Sequence, residues 1–142
     1  MKHATKLFSV LAVATVALLC ASCAKNPEPI LRQRAQAYTQ LLVDDKFDDA
    51  VNSFDPDLVA KRGRTAVAGG FKAVVGIVKG LNALGGRKLD GFEIRKLDFD
   101  STKTRATLQV VYLTTDNKGA DRKESPSDQK WVLKNNTWFA TE

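Results

Sequence analysis

The chain has 142 residues, 44% of them hydrophobic, with a formal net charge of +6 spread along it rather than clustered. That is enough length for one domain with a real core, and the dispersed charge is no footprint for nucleic acid. The only histidine is His3 and the only cysteines are Cys20 and Cys23. Everything beyond residue 23 therefore lacks imidazole and thiol, which excludes Ser-His and Cys-His nucleophiles, Cys/His zinc sites and His-ligated haem.

The first element is a targeting segment. Lys2, His3 and Lys6 make a positive start, residues 7–19 are apolar apart from Ser9 and Thr15, and Ala21 and Ser22 are small. This is the layout of an export signal. The apolar run is shorter than the roughly 20 residues a membrane-spanning helix needs. No later run of that length is evident, so the remainder is not expected to span. Leu19-Cys20-Ala21-Ser22-Cys23 resembles the bacterial lipobox, which implies a signal over residues 1–22, lipid on Cys23 and a tether over residues 23–29. Cys20 stands where Leu is usual. Cleavage after Ala24, releasing a soluble protein, and a Cys20–Cys23 disulfide are the competing readings. In the lipoproteins this resembles, Ala24 after the Cys, rather than Asp, favours the outer membrane, facing the periplasm. Removal of residues 1–22 takes away Lys2 and Lys6 and lowers the net charge to +4 over the remaining 120 residues.

Pro27 and Pro29 disfavour a continuous helix in the tether. Over residues 30–43, Leu31, Ala35, Tyr38, Leu41 and Leu42 recur at helical spacing. Asp44-Asp45-Lys46 breaks that helix, and a second short one is expected over residues 47–54. Its Asp48 and Asp49 suit the first-turn dipole. The acids at 44, 45, 48 and 49 lack the spacing and terminal Glu of a calcium loop and are expected to be a solvated turn and cap; no metal site is expected. Asp55-Pro56-Asp57 is expected to be a turn. Lys61-Arg62-Gly63-Arg64 is read as a solvated loop, the alternative being contact with lipid phosphates. A third helix over residues 64–84 has Val67, Phe71, Val74, Val75, Val78 and Leu81 on one face and four internal glycines. Gly76 and Gly80, one turn apart, leave open a ragged helix or a close helix partner. Gly85-Gly86 ends it; neither glycine pair forms a phosphate-binding motif, and no cofactor is expected.

The last third reads as β. A strand over residues 89–99 switches faces near Arg95–Leu97, which predicts a bulge. A turn at 100–103 leads to a central strand over 104–115, and a second turn to a polar stretch, 120–128, whose Pro126 predicts an edge or a mobile loop. Residues 129–134 and 137–141 form a hairpin around Asn135-Asn136, packed by Trp131 and Trp138. The fold class is α+β, helices on an antiparallel sheet.

Two stretches carry a family resemblance over about residues 30–142: Ala37 to Phe54, with its acidic turn and closing Phe, and Lys130-Trp131-Val132-Leu133-Lys134-Asn135-Asn136-Thr137-Trp138. They resemble the nuclear-transport-factor-2-like superfamily, the cone shared with ketosteroid isomerase and with many bacterial lipoproteins of unknown function. The resemblance implies a curved sheet wrapped on the first helix around a pocket, with Tyr38 where the isomerases place an oxyanion-stabilising tyrosine. Tyr38 is taken as a structural or ligand-lining residue, and no catalytic residue is assigned. The isomerases also need an Asp base, whereas Phe92, Ile94, Leu108 and Val110 occupy the matching strand positions; Asp90, Glu93 and Asp98 are near only in sequence. The expected function is a membrane-anchored envelope protein with a small binding or interaction domain, with a small apolar ligand and a homodimer through the sheet face as partners. The alternatives are an isomerase or dehydratase using Tyr38 and a carboxylate, and an assembly component.

Overall fold

The computed structural model describes residues 26–142, so the signal segment, Cys20 and Cys23 lie outside the described residues. Helix α1 (Glu28–Val43) starts on Pro29 in its first turn and buries Leu31, Ala35, Tyr38 and Thr39 along one face. It stops where Asp45 takes a positive φ of 60° and Lys46 N–H turns back to the Leu41 carbonyl at 2.8 Å. Helix α2 (Phe47–Ala50) runs into a single 3-10 turn (Val51–Ser53).

A helix α3 (Pro56–Arg62) stands where a turn and a solvated loop were expected. The Asp55 carboxylate caps it by accepting from Asp57 N–H at 3.0 Å, and Pro56 occupies the first helical position, where its missing N–H costs nothing. Asp-Pro was thus a helix start as much as a turn. Gly63, at φ 85°, separates α3 from α4 (Arg64–Leu84), which ends at Gly85 as expected. Contrary to the expectation that no later segment could span, α4 is long and apolar enough to cross a membrane by length and composition alone.

Four antiparallel strands follow in simple order: β1 (Arg87–Phe99), β2 (Arg105–Asp116), β3 (Arg122–Lys134) and β4 (Thr137–Thr141). In β1 the register slips between Ile94 and Lys96. That bulge turns both Ile94 and Leu97 toward the core, as the sequence pattern predicts. Residues 122–129 are strand rather than loop, with Pro126 opposite Val111. Because β4 pairs only with Lys130–Lys134, this half of β3 has an unpaired outer edge, where a residue lacking N–H is tolerated. Asn135 and Asn136 take φ 48° and 59° in the last hairpin.

The core lies between the helices and the inner sheet face. Leu31 and Ala35 from α1, Val67 and Ala68 from α4, Ala106 and Leu108 from β2, and both tryptophans form one cluster. Burial of each large side chain contributes about 1.5–3 kcal/mol. The segment between α2 and α3 is stitched to β4 by Asp55 N–H to the Ala140 carbonyl, 2.8 Å. The outer sheet face is charged: Arg95, from the bulge, bonds Glu93 and Glu124, which flank the buried Val111 and Leu113.

Candidate functional site

A cleft of about 310 Å³ opens where the last turn of α1, the second half of α4 and the inner sheet face meet. The helices supply an apolar wall through Leu42, Val43, Val74, Val75 and Val78, and the sheet supplies a hydroxyl floor through Tyr112, Thr114, Ser125 and Ser127. The alternation of β3 explains the floor, since Ser125, Ser127, Gln129 and Trp131 share one face. At the rim, Lys79 Nζ donates to the Val43 carbonyl at 2.8 Å and the Asp45 carboxylate at 2.7 Å, closing α4 onto α1.

Beyond the floor lies a buried polar layer. Gln129 Nε2 donates to Thr39 Oγ1 at 3.0 Å, and Thr39 is wholly buried. Burial pushes the Tyr112 hydroxyl up from its ordinary pKa, and a hydrogen bond from Gln129 draws it partly back. Two buried atoms of this β3 row, Gln129 Oε1 and Trp131 Nε1, have no hydrogen-bond partner among the described residues. A buried unsatisfied polar atom costs about 1–3 kcal/mol, and neither Gln129 nor Trp131 is among the residues that line the cleft.

Tyr38 sits in the aromatic layer of the core rather than on the cleft wall. Its ring meets Phe71 and Trp131 edge-on, with centroids 6.0 and 5.7 Å away. Burial drives its pKa well above the phenol range and the nearby Tyr112 adds to the effect, with no carboxylate contributing. Its hydroxyl makes no hydrogen bond among the described residues. Asp90, Glu93 and Asp98 are all exposed; Asp90 accepts from the Thr115 hydroxyl, and Glu93 pairs with Arg95.

No family model matches the sequence, and no curated protein matches it. Among solved structures, the chain is similar to a proposed NTF2-like transpeptidase from Campylobacter jejuni, with 18% identity, a TM-score of 0.56, and 82% of this chain and 98% of that one covered. A SEC-C motif protein from Rhodopseudomonas palustris overlaps more loosely, at 9% identity and a TM-score of 0.47, covering 77% and 73%. The fold is nuclear-transport-factor-2-like.

In this nuclear-transport-factor-2-like domain the cleft is the pocket between helices and sheet. A larger concavity of about 510 Å³ lies at the other end of the sheet, near Asp98, Asp100, Arg105 and Lys130, but several of its charges are already engaged. Lys134 Nζ holds Asp55 at 2.5 Å and Asp57 at 2.6 Å, while Asp100 accepts from the Thr104 and Arg105 amides. Among the described residues no group of three His, Cys, Asp or Glu could hold a metal ion. The acids at 44, 45, 48 and 49 are exposed, and Asp45 is the partner of Lys79. Arg62 pairs with Glu142, and Arg64 donates to the Asn52 side chain at 2.8 Å and to the Asp48 carbonyl, so both arginines brace the domain. Tyr112, Ser125 and Ser127 went unread as site residues in the sequence, because residues 122–130 are polar at every position but Pro126 and no alternation marks the inward row.

Proposed function

We propose that the chain is an envelope lipoprotein, acylated on Cys23, whose domain binds a small amphipathic molecule in the cleft. The observation that carries the binding reading is the two-sided cleft, an apolar helical wall facing a floor of hydroxyl groups that can each donate and accept. Such a site suits a molecule with an apolar body and one end that both donates and accepts. The few convergent polar groups in an otherwise apolar concavity are the usual composition of a small-molecule site. The transpeptidase activity proposed for the Campylobacter protein is not carried over, because 18% identity speaks for the fold alone.

The binding test uses 2-naphthol, an apolar ring system with one hydroxyl, followed by its own fluorescence. Saturable binding at one molecule per chain is expected, with loss in Ser127→Trp, which fills the cleft. Equal binding by that variant, or no saturation, would refute the site. The anchor has its own test, fatty-acid labelling abolished in Cys23→Ala and retained in Cys20→Ala. Labelling that survives loss of Cys23 would overturn it.

A further inference from the structure

Helix α4 is an unusual surface helix. Ile77, Leu81 and Leu84 are 63%, 65% and 87% exposed and lie outside the cleft lining, and Ala66, Ala73 and the glycines between them are exposed as well. Its only charged residues are Arg64, Lys72 and Lys79, all positive, and they stand off the apolar ridge. Soluble surfaces rarely carry so long an apolar stripe without a partner. The side opposite the ridge is held in the domain through Val67 and Ala68, which prevents α4 from crossing a bilayer while folded here.

We propose that α4 lies flat on an anionic membrane surface, its outward ridge sunk into the headgroup boundary. Charge complementarity supports this occupant. The β2–β3 turn abuts the end of α4 through Asn117 N–H to the Gly86 carbonyl, 3.1 Å. Around it, Lys118 and Lys123 are exposed and make no ion pair among the described residues, and Lys123 stands opposite Thr114 in the row on the sheet face that α4 covers. Cations bordering an apolar helical ridge are the composition of an interfacial helix on anionic lipid.

The length of chain leading to α1 supports it as well. Tyr38 meets Phe71 and Val43 meets Lys79, so α1 and α4 advance in the same direction from one end of the domain. Helices in contact lie about 8–10 Å apart. Four residues separate Cys23 from Glu28, and the five Cα steps between them give a fully extended reach of about 17 Å. A lipid on Cys23 and a bilayer under α4 are therefore compatible in one pose, with α4 presenting about 31 Å of helix to the surface. This tether arm rests on the acylation proposed above; the contact of α4 with lipid does not.

The test uses the purified chain in vesicles of phosphatidylethanolamine and phosphatidylglycerol. A nitrobenzoxadiazole probe is placed on Ile77→Cys, Leu81→Cys or, on the outer sheet face, Thr107→Cys. Probes at 77 and 81 should shift to the blue and be quenched several-fold by doxyl-labelled lipid, with the probe at 107 unaffected. Replacing phosphatidylglycerol with phosphatidylcholine should weaken the shift. Probes at 77 and 81 as open to an aqueous quencher as the one at 107 would overturn the inference. So would self-quenching between copies that is indifferent to lipid, which would assign the ridge to a second copy of the chain. The mass of the same chain reports acylation separately, and repeating the probes in a Cys20→Ala, Cys23→Ala chain, which leaves the introduced Cys as the one thiol, keeps the α4 result interpretable if the lipid is missing.

Discussion

The two ends of the domain are built on opposite terms. At the end holding the β3–β4 hairpin, Trp131 and Trp138 are almost fully buried, Phe99 packs against Trp138 at 5.8 Å, and Phe54 bridges to Ala140. At the other end, α4 continues past the core with large apolar side chains in the open, and the first half of β3 is exposed with one edge unpaired. One end carries the packing energy. The other has surfaces that only an outside partner would satisfy, and it is there that the cleft lies.

The largest effect separating the ends is expected from Trp131→Ala, which removes the side chain joining the hairpin to Tyr38. It should cost about 3–5 kcal/mol in chemical denaturation; a loss as small as that of a surface change would mean the hairpin end is not the stable one.

Asp55 gives the same end a pH signature. Burial raises its pKa, but the Lys134 ammonium and the Asp57 and Leu58 amides outweigh that, so the carboxyl stays below its ordinary value. A depressed carboxyl contributes stability above its unfolded pKa and loses it as pH falls through the folded one, hence from about pH 4 downward. Asp55→Asn keeps a good capping side chain and should flatten the acid limb of a stability profile. An unchanged limb would show that the ion pair is not felt.

At the open end the effects should be smaller and functional. Tyr112→Phe removes a cleft hydroxyl and should weaken 2-naphthol binding about five-fold, the worth of roughly 1 kcal/mol, with the denaturation midpoint little changed. Gly76→Ala should stabilise the protein by up to about 1 kcal/mol, because a methyl group there meets nothing within 4 Å. Destabilisation instead would reveal a helix seated against Gly76 and Gly80. Smallest of all, Leu81→Gln should alter stability by no more than about 0.5 kcal/mol.

The sequence carried most of the hairpin end and little of the open end, for a physical reason. Periodicity reports burial, so Leu31, Ala35, Tyr38 and the paired tryptophans were legible, as were the bulge near Arg95 and the Asn135-Asn136 turn. The same logic misplaced α4. Val74, Val78 and Leu81 satisfied a core-facing period, yet Val74 and Val78 line the cleft without being buried and Leu81 stands in the open, since apolar residues on both sides of a helix leave the direction of its buried face undefined. The polar stretch holding Ser125 and Ser127 was read as an edge or a mobile loop because both side chains stay exposed in the strand, and their place under α1 and α4 is a tertiary arrangement absent from local pattern. Tyr38 was singled out through the family resemblance; Tyr112, on the strand opposite, faces the cleft.

The central claim is that the cleft between α1, α4 and the hydroxyl face of the sheet receives a ligand. The most direct measurement is a titration of 2-naphthol followed by amide chemical shifts. The changes should cluster on Tyr112, Thr114, Ser125, Ser127 and Gln129 and on the second half of α4, and they should saturate together. Changes centred instead on Asp100, Arg105 and Lys130 at the opposite end, or scattered without saturation, would contradict the account.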